Sequence, residues 1–159
     1  MKYWLTTVVA ACLIISGCSL LPDRSGPNVN IVQSSDYCGT KTPDAAVHYF
    51  ASPDPLANWI AERDIRELRA AAASLTGVLV VELGQRPSAG YSLEVIDGAS
   101  RIEGDTLYMA MRWNSPELDA HVSQQLLSPC MIIPRPKGEY KQVVLVDQRG
   151  EQRGQVAVP

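Results

Sequence analysis

The sequence predicts an α+β chain, mainly an antiparallel β-sandwich or barrel-like domain with a helical segment ahead of it. Three observations lead there. Apolar residues recur at helical spacing from Leu56 to Leu75. From Val78 onward the period changes to that of strands. Most of the strand-like runs then follow one another, separated by Gly, Pro and Asp turns, the order expected of a helix placed before a sheet rather than alternating with it.

The elements follow in order. Ala46 to Phe50 is a first strand, and Ser52-Pro53-Asp54-Pro55 then starts a helix, with Asp54 as N-cap and Pro55 at the first helical position. Leu56, Trp59, Ile60, Ile65, Leu68, Ala72 and Leu75 make the apolar stripe, the slip between Ile60 and Ile65 places a break near Arg63-Asp64, and Gly77 ends the stretch. Val78 to Leu83 and Tyr91 to Ile96 read as a hairpin around GQRPSAGYS, and Asp97-Gly98 turns. Thr106 to Trp113 alternates, with Leu107, Met109, Met111 and Trp113 on one face. Ser123 to Ile133 contains Pro129, which argues for an edge or broken strand. Lys141 to Asp147 and Gln155 to Val158 complete the set, with Asp147 to Gly150 as the turn between them.

The start of the chain bears on where it works. Lys2 is followed by an apolar stretch from Tyr3 to Ile15, too short to span a bilayer and stop, and Ile15-Ser16-Gly17-Cys18 closes it. This resembles the bacterial lipobox, which implies that residues 1–17 are a lipoprotein signal peptide and that Cys18 carries lipid. Ser19, in place of Asp, points to the outer membrane, lipid-anchored in the cell envelope. Residues 18–35, rich in Pro, Gly, Ser and Asn, read as a flexible tether, and 36–159 as one domain.

The 159 residues carry Lys+Arg 14 against Asp+Glu 17, a net charge of −3, and Lys2 would leave with the leader. No basic stripe is present, which speaks against nucleic acid as a partner. Of the four cysteines, Cys12 belongs to the leader and Cys18 to the anchor. Cys38 and Cys130 remain, and in an oxidising compartment they most simply form one disulfide; free thiols are the alternative. A metal pair lacks ligand spacing, since there is no CxxC and His48 and His121 stand apart. HExxH, P-loop and GxGxxG patterns are missing too, and Ser88 lacks the upstream glycine of a nucleophile elbow. The expectation is a chain that is not an enzyme and takes no cofactor or metal.

The loop is the distinctive feature. Pro87 fixes its own φ and pushes Arg86 towards extended backbone, while Gly90 permits a reversal. A stiff segment bearing one guanidinium and one hydroxyl suits recognition, which makes Arg86, Pro87, Ser88, Gly90 and Tyr91 the candidate partner-binding residues. The competing reading is a plain turn with Tyr91 packed on the core.

The run from Val81 to Val95, with Gly84-Gln85-Arg86-Pro87-Ser88-Ala89-Gly90-Tyr91-Ser92 at its centre, resembles the GxRPTGGYS segment of the protease complex subunit PrcB family, in its C-terminal domain. Ser128-Pro129-Cys130 resembles that family's SPY segment, and Lys141 to Asp147 its last β segment. The likeness spans about residues 77–148. Ser88-Ala89 stands where Thr-Gly is usual, and Cys130 where an aromatic is. Residues 86–91 are similar also to a loop of chagasin-type protease inhibitors, a resemblance that implies an immunoglobulin-like form of the sandwich. The resemblance implies a non-catalytic lipoprotein that binds a protein partner, a secreted or envelope protease complex, as assembly, chaperone or inhibitory subunit. The alternative is an envelope lipoprotein with a structural role, or one that holds an apolar ligand between helix and sheet.

Overall fold

The computed structural model describes residues 26–159; the leader, Cys18 and residues 19–25 lie outside them. The elements run β1 (Gln33–Ser35), β2 (Ala46–Phe50), α1 (Pro53–Glu62), a 3-10 turn (Arg66–Leu68), α2 (Arg69–Ala72), β3 (Val78–Glu82), β4 (Ser92–Val95), β5 (Arg101–Glu103), β6 (Thr106–Asn114), β7 (Cys130–Pro134), β8 (Gln142–Val146) and β9 (Gln152–Ala157). They form two sheets: β1-β7-β3-β2, and β4-β6-β8-β9 with β5 also on β6. The architecture is mostly β and sandwich-like, and it is not a closed barrel. The helix sits between β2 and β3 rather than ahead of the strands. One pairing, β6 with β8, is parallel, because the chain crosses to the other sheet as β7 before returning.

Burial explains why each strand lies where it does. β3 is buried at all five positions, so both its faces must be covered. Leu79 and Val81 face the second sheet with Met131, Ile133, Leu107, Met109, Met111, Val143 and Leu145. Val78 and Val80 face the helical layer of Leu56, Trp59, Ile60, Ile65 and Leu68. The result is three layers, helix on sheet on sheet.

β3 and β4 do not form the expected hairpin. β3 pairs with β2 and β7, whereas β4 pairs with β6 in the other sheet. An all-apolar strand needs a central place, and the half-buried β4 suits an edge, so the residues between them form a crossover from sheet to sheet. β7 is likewise central, between β1 and β3. Pro129 falls just before it, where its missing N–H costs no ladder bond and its carbonyl accepts from Leu83 N–H at 2.8 Å.

The helix begins two residues earlier than the Asp54 cap predicts. Ser52 is the N-cap and Pro53 the first helical residue, since both prolines fit a first turn that needs no N–H partners. The break falls where the spacing slips, with Asp64 at φ 51°. The described end of the tether is not free: Val29 is buried, and Gln33–Ser35 pair with Ile132 to Cys130. No described helix is long and apolar enough to cross a membrane.

Candidate functional site: a groove beside the crossover loop

The crossover from Leu83 to Tyr91 is tied down along its length. Gly84 takes φ +87°, and a Cβ there would meet the Pro43 carbonyl oxygen at 2.5 Å and that of Asp44 at 2.7 Å. Gln85 N–H donates to Thr42 O at 2.7 Å, Arg86 and Leu127 exchange backbone hydrogen bonds at 2.7 and 2.9 Å, and Ala89 N–H donates to Ser123 O at 2.9 Å. Gly90, at φ +90°, lets the chain pass Pro116, whose Cβ would lie 2.9 Å from an added one. Segments 40–45 and 115–128 therefore flank the loop, and its stiffness comes from these neighbours as well as from Pro87.

Among the five candidate residues, Pro87 and Gly90 are exposed and Arg86 and Tyr91 half-buried. Ser88 is buried, its hydroxyl donating to Ala89 O at 3.2 Å, so it cannot present a hydroxyl outward. Arg86 turns back on the loop, donating through Nη2 to Leu83 O at 2.6 Å, with Cζ 5.8 Å from the Tyr91 ring centroid. Arg86 and Tyr91 line one groove; Tyr91 is neither a core residue nor a free tip.

That groove is a cavity of about 350 Å³ whose far wall is built by the end of β6 and the β8–β9 turn: Trp113, Asn114, Ser115, Asp147, Gln148, Arg149 and Arg153. A second cavity of about 240 Å³, bounded by Pro43, Asp44, Ala45 and Gln152, shares Arg86, Trp113 and Arg153 with it. The Gln148 side chain pairs with the Trp113 backbone in both directions, at 3.0 and 3.2 Å, which locks the turn onto the strand. The indole Nε1 of Trp113 is buried without a hydrogen-bond partner among the described residues.

Asp147 organises the turn. Its Oδ1 accepts N–H bonds from Arg149 and Glu151, and its Oδ2 accepts from Arg153 Nε and Nη2 at 2.9 and 2.5 Å. Burial opposes ionisation, but these bonds and the Arg153 charge outweigh it and hold the carboxyl at about 2. Arg149 and Arg153 also pair with Glu151. Sequence reasoning took Asp147 to Gly150 as a turn and missed this network. The signal was present: an Asp that opens a turn, followed by arginines two and six residues later.

A second polar cluster lies on the helix-facing side of the first sheet. Glu82, 2 % exposed, accepts from Thr40 Oγ1 and lies 2.6 Å from His48 Nε2. Burial raises its pKa, yet the hydrogen bonds of His48 and Thr40 and the charges of His48 and Arg63 bring it below the usual carboxylate range. His48 looked isolated in sequence; strand pairing brings it to Glu82. A charge at the end of the apolar run from Val78 was the sequence's sign that a buried partner existed. Beside this cluster Cys38 and Cys130 form a disulfide, Cα atoms 5.9 Å apart. Among the described residues no group of three or more His, Cys, Asp or Glu is placed to hold a metal ion.

Residues 78–134 match the family model described as PrcB C-terminal. The match runs from β3 to β7, shorter than the expected 77–148; it includes Leu83, Arg86, Tyr91 and Trp113 of the groove but not the β8–β9 turn. No curated protein and no solved structure matches the chain, which leaves the likeness of residues 86–91 to chagasin-type loops without a structural counterpart. Over residues 78–134 this chain is thus similar to the PrcB C-terminal family.

Proposed function

We propose that the protein is a non-catalytic docking module of a protease complex, held at the outer membrane through lipid on Cys18, and that the groove beside the 83–91 crossover is its contact surface. One observation carries the reading most directly: Arg86, near the start of the family-matched segment, lies in an open groove with its guanidinium bonded only to backbone carbonyls among the described residues. A cation held in place but not ion-paired is matched to a ligand from outside. The larger cavity's own carboxylate, Asp147, is fully engaged by four hydrogen bonds, so the wall is built to be rigid rather than to move protons.

The alternative of an apolar ligand between helix and sheet is less well supported. Leu56, Ile60, Ile65 and Leu68 fill that layer, each at most 1 % exposed.

In-cell photo-crosslinking tests the proposal. A benzophenone side chain at exposed Pro87 should give adducts with an envelope protease or a subunit of its complex, and one at exposed Glu62, on the helix, should not. No protease-complex adduct from either face would overturn the assignment. Adducts from the helix alone would move the surface.

A further inference from the structure

We propose that the groove takes an extended segment of a partner protein and selects an internal Asp or Glu side chain on it through Arg86. The proposal rests on the docking role given above and adds the chemistry of the ligand.

Charge decides the kind of ligand. The groove and its rim hold Arg86, Arg149 and Arg153 against Asp44, Asp147 and Glu151. Arg149 and Arg153 are both paired with Asp147 and Glu151. Arg86 forms no ion pair among the described residues; its two hydrogen bonds, to Leu83 O at 2.6 Å and Gln85 O at 3.5 Å, go to carbonyls and leave three of five N–H donors unused. Asp44 lines the smaller cavity with Arg86 but forms no ion pair with it, so the guanidinium remains open to one incoming carboxylate. A phosphate would call for the further cations that Asp147 and Glu151 already occupy.

Shape decides how the carboxylate arrives. The two cavities meet at Arg86, Trp113 and Arg153, so the groove continues on both sides of the guanidinium. A chain can run through it, whereas a terminal carboxylate would be matched by a groove that stops at Arg86. Half-buried Tyr91 and Trp113 give apolar surface beside the cation, suited to aliphatic neighbours of the acidic residue. The carbonyl bonds hold the guanidinium before a ligand arrives, which lowers the ordering cost of binding.

The test uses the purified full chain in detergent micelles and pools of blocked heptapeptides with randomised flanks and a fixed central residue. Pools centred on glutamate or aspartate should bind at least tenfold tighter than pools centred on glutamine or asparagine. Arg86→Gln should bring the ratio close to one, and Arg86→Lys should retain part of it. The central comparison is read on the unaltered chain, so a poorly folded variant does not decide it. A ratio near one, tighter binding of phosphoserine pools, or tighter binding of unblocked neutral pools through their terminal carboxylate would each overturn the proposal. Loss of peptide selectivity with the protease adduct at position 87 intact would reject the ligand chemistry alone; selectivity without any protease adduct would reject the docking role alone.

Discussion

The Arg86 guanidinium bonds the carbonyl of Leu83, three residues back, at 2.6 Å, and Gly84 is the residue that lets the backbone make that return. Gly84→Ala puts a side chain at φ +87° and drives its Cβ to 2.5 Å from the Pro43 carbonyl oxygen, where backbone rather than a flexible side chain must give way. The expected cost is roughly 2–4 kcal/mol, from the backbone conformation and the overlap together. A urea midpoint unchanged by Gly84→Ala would contradict it. The same variant should widen the Leu83 to Arg86 turn and weaken the groove.

Reducing the disulfide should be costly. Cys38 and Cys130 are 92 residues apart, and the bridge fastens the segment before β2 to the start of central β7. On the chain-entropy model it contributes about 4–5 kcal/mol. Denatured, unreduced protein should titrate no thiol at Cys38 or Cys130, and reduced protein should unfold at a clearly lower denaturant midpoint; equal midpoints would show that the bridge is not a stabilising element.

The helix, its break at Asp64 and the face of β6 that carries Leu107, Met109 and Met111 were readable because each depends on local period. Strand partnership was not. Val78 to Leu83 and Tyr91 to Ile96 have the spacing of a hairpin, and only the need to bury β3 on both faces separates them into two sheets. Pro129 misled for a related reason, since a proline just outside a strand and one within it look alike in sequence. Of the site, Arg86 and Tyr91 were visible through a distinctive loop. Their wall was not, because Trp113 and the β8–β9 turn are brought there by the parallel β6–β8 pairing, which no local pattern announces.

Acid should destabilise the protein through two carboxylates. Asp147 has a folded pKa of about 2 against an ordinary 3.8, and Glu82 is also lowered from 4.5. A depressed folded pKa means that the unfolded chain binds protons first, so the stabilisation is complete above the ordinary values and is lost as pH falls through the folded ones. For Asp147 that window runs from 3.8 down to about 2. Asp147→Asn should lower the melting temperature at pH 7 and flatten its decline over that window. A variant with an acid limb as steep as the wild type would place the dependence elsewhere.

The anchoring proposal makes a sharp prediction, because the lipid and the fold use different cysteines. Cys18 lies ahead of the described residues, while Cys38 and Cys130 are joined to each other. Cys18→Ser should therefore abolish palmitate labelling and release the chain from the outer-membrane fraction, yet leave the disulfide and the melting temperature of the released domain intact. Position should change as well. Val29 is buried and Gln33–Ser35 form β1, so the span from Cys18 to the folded domain is about eleven residues, which reach at most roughly 40 Å when fully extended. A lipidated domain so close to the bilayer should crosslink to headgroup-reactive probes, and the Cys18→Ser form should not. Wild-type protein that takes up no label and stays wholly soluble would reject the anchor, and the docking role would then have to be met by a freely diffusing chain.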